Sequence, residues 1–168
     1  MSFDRLIEKI IETKNPSVVG LDPKLEYVPG FIQKRYLDDD GWSLKAAARA
    51  IFTFNKQIID EICDVVPAIK PQAAYYEMYG HHGIKTLERT IRYAQLKGMF
   101  VITDGKRNDI GATMEAYATA HLGSVKIGEN EIEPFGSDSL TVNGYLGSDG
   151  IKPLLNICRE RDKGIFVL

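Results

Sequence analysis

The chain switches repeatedly between two hydrophobic rhythms. Phe3, Leu6, Ile7, Ile10 and Ile11 recur at helical spacing, which predicts a surface helix with one buried stripe. Pro16 closes that segment, and residues 17–22 read as a short buried strand. The stretch from Pro23 to the acidic run Asp38-Asp39-Asp40 carries Pro29 and Gly30 and reads as a loop ending in a solvated turn. Ser43 is a candidate N-cap for a helix whose stripe is Leu44, Ala47, Ala48, Ile51, Ile58 and Ile62. Residues 67–72 form a second predicted strand, with proline near both ends. Residues 74–97 then read as one helix with Ile84, Leu87, Ile91 and Ala94 on a single side, stopped by Gly98. Residues 99–103 are the clearest strand, running into Asp104-Gly105-Lys106-Arg107-Asn108-Asp109, and a helix follows to about Leu122. A polar connection over 124–138 leads to a strand at 139–143. A helix then opens near Gly147 with Pro153 in its first turn, and a last strand covers 165–168.

Five strands, each but the last followed by a helix, imply a parallel sheet with right-handed crossovers. Strands that read apolar throughout fit burial on both faces. An open doubly wound sheet and a (β/α) barrel both satisfy this order. No G-x-G-x-x-G follows the first strand and no G-x-x-x-x-G-K-[ST] occurs, which favours the barrel. A complete barrel of eight units typically takes about 250 residues, and this chain has 168. The expected fold is therefore α/β, an incomplete (β/α) TIM barrel with about five of eight strands. Residues 1–168 would form the N-terminal part of a single barrel domain.

Composition adds limits more than direction. Hydrophobic residues at 44% and charged residues at 26% fit an ordinary globular domain. A formal charge of −2 marks no nucleic-acid or membrane surface. No run approaches the roughly 18 apolar residues of a spanning helix. Asp4, Arg5, Glu8, Lys9 and Glu12 interrupt any signal-peptide core. Cys63 and Cys158 have no redox or metal spacing, so two reduced thiols and a cytoplasmic location are expected. His81 and His82 are adjacent and lack an evident third ligand, so a surface pair and no metal are expected. Tyr75, Tyr76 and Tyr79 are expected to cover a helix–sheet or dimer contact.

Charged residues gather where the predicted strands end: Asp22 after the first, Lys70 in the second, Asp104 and Lys106 after the third. In parallel α/β proteins that edge carries the active site. Strand period 2 puts Phe100, Ile102, Asp104 and Lys106 on one face, the apolar pair filling a barrel and the charged pair standing at its mouth. Asp109 follows where the chain turns into a helix, and could serve as that helix's cap. A lysine held between carboxylates, its pKa set by burial and charge, is suited to donating a proton.

The string Asp104-Gly105-Lys106-Arg107-Asn108-Asp109-Ile110-Gly111-Ala112-Thr113 closely resembles the signature of the orotidine 5′-phosphate decarboxylase family. Residues 19–23, 68–72 and 137–143 resemble the longer, bacterial-type branch, in the right order along the chain. The resemblance implies a cofactor-free decarboxylation of orotidine 5′-monophosphate to uridine 5′-monophosphate in pyrimidine biosynthesis. It implies that Lys106 protonates C6, that Asp104 lies beside the substrate carboxylate, and that Lys70 and Asp109 complete a Lys-Asp-Lys-Asp network. It assigns Asp22 and Lys70 to the ribose. It also implies a homodimer in which Asp109, Ile110 and Thr113 reach into the neighbouring site. Barrels usually grip phosphate after their seventh and eighth strands, so the phosphate- and pyrimidine-gripping residues are expected beyond Leu168. Two other readings stand beside this one. One is a magnesium-dependent sugar-phosphate lyase barrel with a similar Asp-x-Lys-x-x-Asp; the other is an inactive half-barrel.

Overall fold

The computed structural model describes residues 2–168. In chain order the elements are α1 (Ser2–Thr13), β1 (Val18–Leu21), a 3₁₀ turn (Leu25–Tyr27), α2 (Gly30–Asp40), α3 (Leu44–Ile62), β2 (Ala68–Pro71), α4 (Ala74–Glu77) and α5 (Gly80–Leu96). There follow β3 (Phe100–Arg107), α6 (Gly111–Leu122), β4 (Val125–Ile127), β5 (Asn130–Ile132), β6 (Ser139–Val142), α7 (Ser148–Arg161) and β7 (Gly164–Val167). The main sheet has five parallel strands in the order β1-β2-β3-β6-β7. Each strand lies beside the one before it, and the order never turns back. A doubly wound sheet reverses at a switch point, so this is the progression of a barrel wall.

Period 2 sorts each strand between two environments. Leu21, Ile69 and Val101 face the helices, packing with Ile51, Ile59, Leu87 and Ile91. Farther along the sheet, Leu140 and Val142 pack with Met114, Ala118, Leu122 and Leu154 of α6 and α7. The alternate positions, Ala68, Phe100 and Ile102, form a separate cluster with Leu6 and Phe166 on the concave side. There α1 lies across the amino ends of the strands, with Phe3 edge-on to Phe166 at 5.1 Å.

Several expectations are corrected. Residues 30–40 are helical, although Ile32 is the lone fully buried side chain of α2, too sparse a pattern to read as a stripe. Asp40 is no solvated turn residue: Lys45 and Arg49 both bond its carboxylate. The predicted helix over 74–97 breaks at Gly80, whose φ of 60° lies in the region that favours glycine. The polar connection folds into an antiparallel β4–β5 hairpin. Its apolar residues Val125, Ile127 and Ile132 are exposed, so no buried alternation signals it. Pro153 sits in the second turn of α7, because the helix starts at Ser148. Ile7 and Ile11 of the α1 stripe are exposed, since that helix is covered on one side alone. Ser43 caps α3 as expected, its Oγ accepting from the Ala46 N–H at 3.1 Å.

Candidate active site

At the carboxyl edge of the sheet, concave-face side chains change from apolar to charged. Along β2 these positions are Ala68, Lys70 and, just past the strand, Gln72; along β3 they are Phe100, Ile102 and Asp104; along β6, Ser139 and Thr141. Asp104, 4% exposed, is the hub. Its Oδ2 accepts hydrogen bonds from Lys70 Nζ at 2.8 Å and Gln72 Nε2 at 2.9 Å. Its Oδ1 accepts from Lys106 Nζ at 2.6 Å and Thr141 Oγ1 at 2.7 Å. Burial alone would push this carboxyl up. The hydrogen bonds from Lys106, Lys70 and Thr141 outweigh burial and hold its pKa at about 2.

The lysines themselves are open to solvent on their other side, with side-chain exposures of 35% for Lys70 and 52% for Lys106. Lys106 reaches Asp104 through an irregularity rather than a straight strand. The β3–β6 register shifts between Thr103 and Arg107, and Lys106 has φ 46°. A left-handed conformation costs a residue with a Cβ about 1–2 kcal/mol. The Lys106 N–H donates to Thr141 Oγ1 at 3.0 Å, so one threonine supports both the bulge and the carboxylate.

The other expected residues stand nearby or apart. Asp22 lies on the same edge beyond β1, exposed and without an ion pair among the described residues. Asp109 does not join Lys70, Asp104 and Lys106 within one chain; its Oδ1 accepts from the Ile110 N–H at 2.8 Å. The expected network of four is thus a cluster of three here, because the chain has already turned toward α6. Nor does Asp109 cap that helix's Gly111, whose N–H bonds Asp149 Oδ2 at 3.0 Å. At Gly150 a Cβ would come within 2.8 Å of the Asp109 carbonyl oxygen, so glycine lets α7 approach this loop. Ile110 is 58% exposed, and Thr113 is exposed in the first turn of α6.

Gln72 and Thr141 were not singled out from sequence. The signal was present: each is a polar residue two positions beyond another concave-face residue, Lys70 or Ser139, at or near the carboxyl end of its strand. His81 and His82 lie ring to ring at 3.8 Å. Among the described residues no cluster of three or more His, Cys, Asp or Glu could hold a metal ion, and no helix is long and apolar enough to cross a membrane.

Chemically, the cluster is an ionised carboxylate gripped by two ammonium groups at the mouth of a concave sheet. It can repel an anionic group set against Asp104, and it holds a lysine proton within reach of the same point.

The chain is similar over most of its length to known proteins. Residues 18–168 match the family model described as "Orotidine 5'-phosphate decarboxylase / HUMPS family". The orotidine 5′-phosphate decarboxylase of Rhodopirellula baltica is 45% identical over 160 residues, which cover 95% of this chain and 51% of that protein. That of Caldicellulosiruptor saccharolyticus is 39% identical over 165 residues, covering 98% and 54%. Among solved structures, the OMP decarboxylase of Leishmania donovani superposes with a TM-score of 0.71 at 28% identity, covering 99% of this chain and 52% of that one. The chain therefore spans about half the length of the curated relatives it matches.

Proposed function

Because this chain belongs to the orotidine 5′-phosphate decarboxylase / HUMPS family, we propose that it carries the reactive groups of a decarboxylase converting orotidine 5′-monophosphate to uridine 5′-monophosphate. The observation that supports this most is Asp104, buried yet kept ionised by two lysines at the open edge of the sheet. A substrate carboxylate seated against Asp104 meets a like charge. Two unit charges about 4 Å apart at an effective dielectric of 20 interact by about 4 kcal/mol. That repulsion raises the ground state if other contacts hold the substrate in place, and it vanishes as carbon dioxide leaves.

The C6–carboxylate bond breaks with its electron pair left on C6. The Lys106 ammonium stabilises that developing charge and then gives its proton to the carbon; solvent reprotonates the amine. Lys70 holds Asp104 from the other side, and Asp22 stands just past the end of the neighbouring strand β1; together they suit a ribose diol. Asp109, Ile110 and Thr113 are read as contributions to a neighbouring site in a homodimer; the exposure of Ile110 and the absence of Asp109 from the cluster support this. A cytoplasmic location suits the two free cysteines. A magnesium-dependent lyase fits less well, since both Asp104 oxygens already accept two hydrogen bonds and offer a cation no free lone pair.

The test is the absorbance loss of orotidine 5′-monophosphate, with the chain and its Lys106→Ala variant each mixed with the C-terminal half of the Rhodopirellula baltica relative. Turnover that the variant abolishes is expected. Equal rates from both proteins, or a requirement for magnesium, would overturn the reading.

A further inference from the structure

A second charged feature lies away from Asp104, on the outer surface where α3 and α5 begin. Lys45, Arg49, His82, Lys85 and Arg89 line a cleft of about 210 Å³ over Ala48 and Thr86. Its floor is fixed. Ala48 and Thr86 are buried, and Thr86 Oγ1 donates to the Ala48 carbonyl at 3.1 Å, tying the two helices together. One wall is fixed as well: the Arg89 guanidinium sits 3.7 Å over the Phe52 ring, a cation–π contact that restricts its rotamers.

Charge is not balanced here. No carboxylate lines the cleft. Asp40, at its rim, bonds Lys45 at 2.7 Å and also Arg49. Lys85 and Arg89 have no carboxylate partner among the described residues. A chain whose net charge is −2 thus concentrates four cationic side chains at one concave point. His82 feels the surplus: burial first, then His81, Lys45 and Lys85, lower its pKa against the opposing pull of Asp40. The starts of both helices add their partial positive charge.

We propose that this cleft binds a small phosphorylated anion through one or two phosphoryl groups. Arginine and lysine together give the forked and point-charge donors that phosphate oxygens accept. The cleft is smaller than the roughly 300–1,000 Å³ of pockets that enclose a whole organic ligand, so the phosphoryl end enters and any organic remainder stays in solvent. Four cations at one pocket, rather than a stripe along the surface, suit one compact anion. The inference is independent of the decarboxylase reading.

Inorganic pyrophosphate is the probe. Calorimetric titration of the chain, with ionic strength held constant by potassium chloride, should show saturable binding. Lys45→Ala and Lys85→Ala should each weaken it by up to about fivefold, the upper range for an exposed ion pair. In proton NMR, the His82 imidazole should titrate at higher pH when pyrophosphate is bound, with His81, Lys45, Lys85 and Asp40 as the neighbours setting its baseline. Absent saturation, affinity unchanged in both variants, or a His82 titration that pyrophosphate leaves unmoved would overturn the proposal. Sulfate binding as tightly as pyrophosphate would overturn the assignment to phosphoryl groups.

Discussion

Asp104 and Asp138 are buried to nearly the same degree, 4% and 5% exposed, at opposite ends of one sheet. Asp138, at the amino ends of the strands, is bonded by Arg5, by Gln95 Nε2 at 3.3 Å and by the Val101 N–H at 2.9 Å. Its own carbonyl accepts from Ser2 Oγ and the Gly164 N–H. These donors are a guanidinium that does not lose its proton, an amide, a hydroxyl and backbone. They pin α1, α5 and β3 to β6 and leave nothing to transfer. Asp104, at the other end, is held by two lysines whose ammonium groups also face outward. The partner's chemistry and access, more than burial itself, separate a structural carboxylate from a reactive one.

The largest expected effect that sharpens this contrast is on rate. In the complemented decarboxylase assay, Lys106→Ala should lower turnover by about 10²–10⁴-fold, the range for a lost general acid. Arg5→Ala should leave turnover within about twofold, since its end of the sheet holds no transferable proton.

Stability should show the reverse. Asp138→Ala leaves the buried Val101 N–H without its side-chain acceptor, a loss of about 1–3 kcal/mol. For a domain of this size that is about 2–4 °C in melting temperature per kcal/mol. A melting curve unchanged by Asp138→Ala would break the comparison.

Two buried groups should divide the acid side of the pH scale between them. His121 stacks on Phe135 at 4.9 Å, and burial, aided by the Arg107 charge, lowers its pKa from 6.5 to about 4. It is neutral in the folded chain and protonated more readily when unfolded. Stability should therefore fall as pH drops from 6.5 toward 4, and His121→Phe should flatten that slope. Asp104 is depressed from 3.8 to about 2, so its contribution is present above the unfolded value and lost as pH falls from 3.8 through 2. Asp104→Asn should remove only this lower arm. Urea melts at stepped pH would separate the two.

A smaller effect on rate is expected from Thr141→Val, which removes one hydrogen bond to the Asp104 carboxylate and the support of the Lys106 N–H. Lys70, Gln72 and Lys106 still hold the carboxylate, so turnover should fall far less than with Lys106→Ala. A charged hydrogen bond is worth about 1.5–3 kcal/mol, so the melting temperature should drop by about 3–12 °C.

Much of this was legible beforehand. The five main strands followed from short apolar runs, because strands buried on both faces leave continuous hydrophobic signal. Asp104, Lys106 and Lys70 followed from position, because period 2 carries a strand's inner face directly into its carboxyl end. What escaped was set by tertiary context. The β4–β5 hairpin exposes its apolar residues and has no core to announce it. The α2 helix buries Ile32 and little else. The bulge at Lys106 depends on Thr141, a residue 35 positions away, which no local pattern connects to it. Asp109 stands apart from Lys70, Asp104 and Lys106 within one chain, and spacing along a loop says little about where a carboxylate points.

The anchoring of α1 carries a consequence for how the chain is made. Each strand of the sheet pairs with the one synthesised before it, so the wall can assemble in step with translation. The first helix cannot. Its Ser2 hydroxyl waits for the carbonyl of Asp138, 136 positions downstream, and its Phe3 ring for Phe166. At about 5–20 residues per second, α1 is on hand for many seconds before its seat exists. Among the described helices, the earliest to be made waits for the latest strands before it can come to rest.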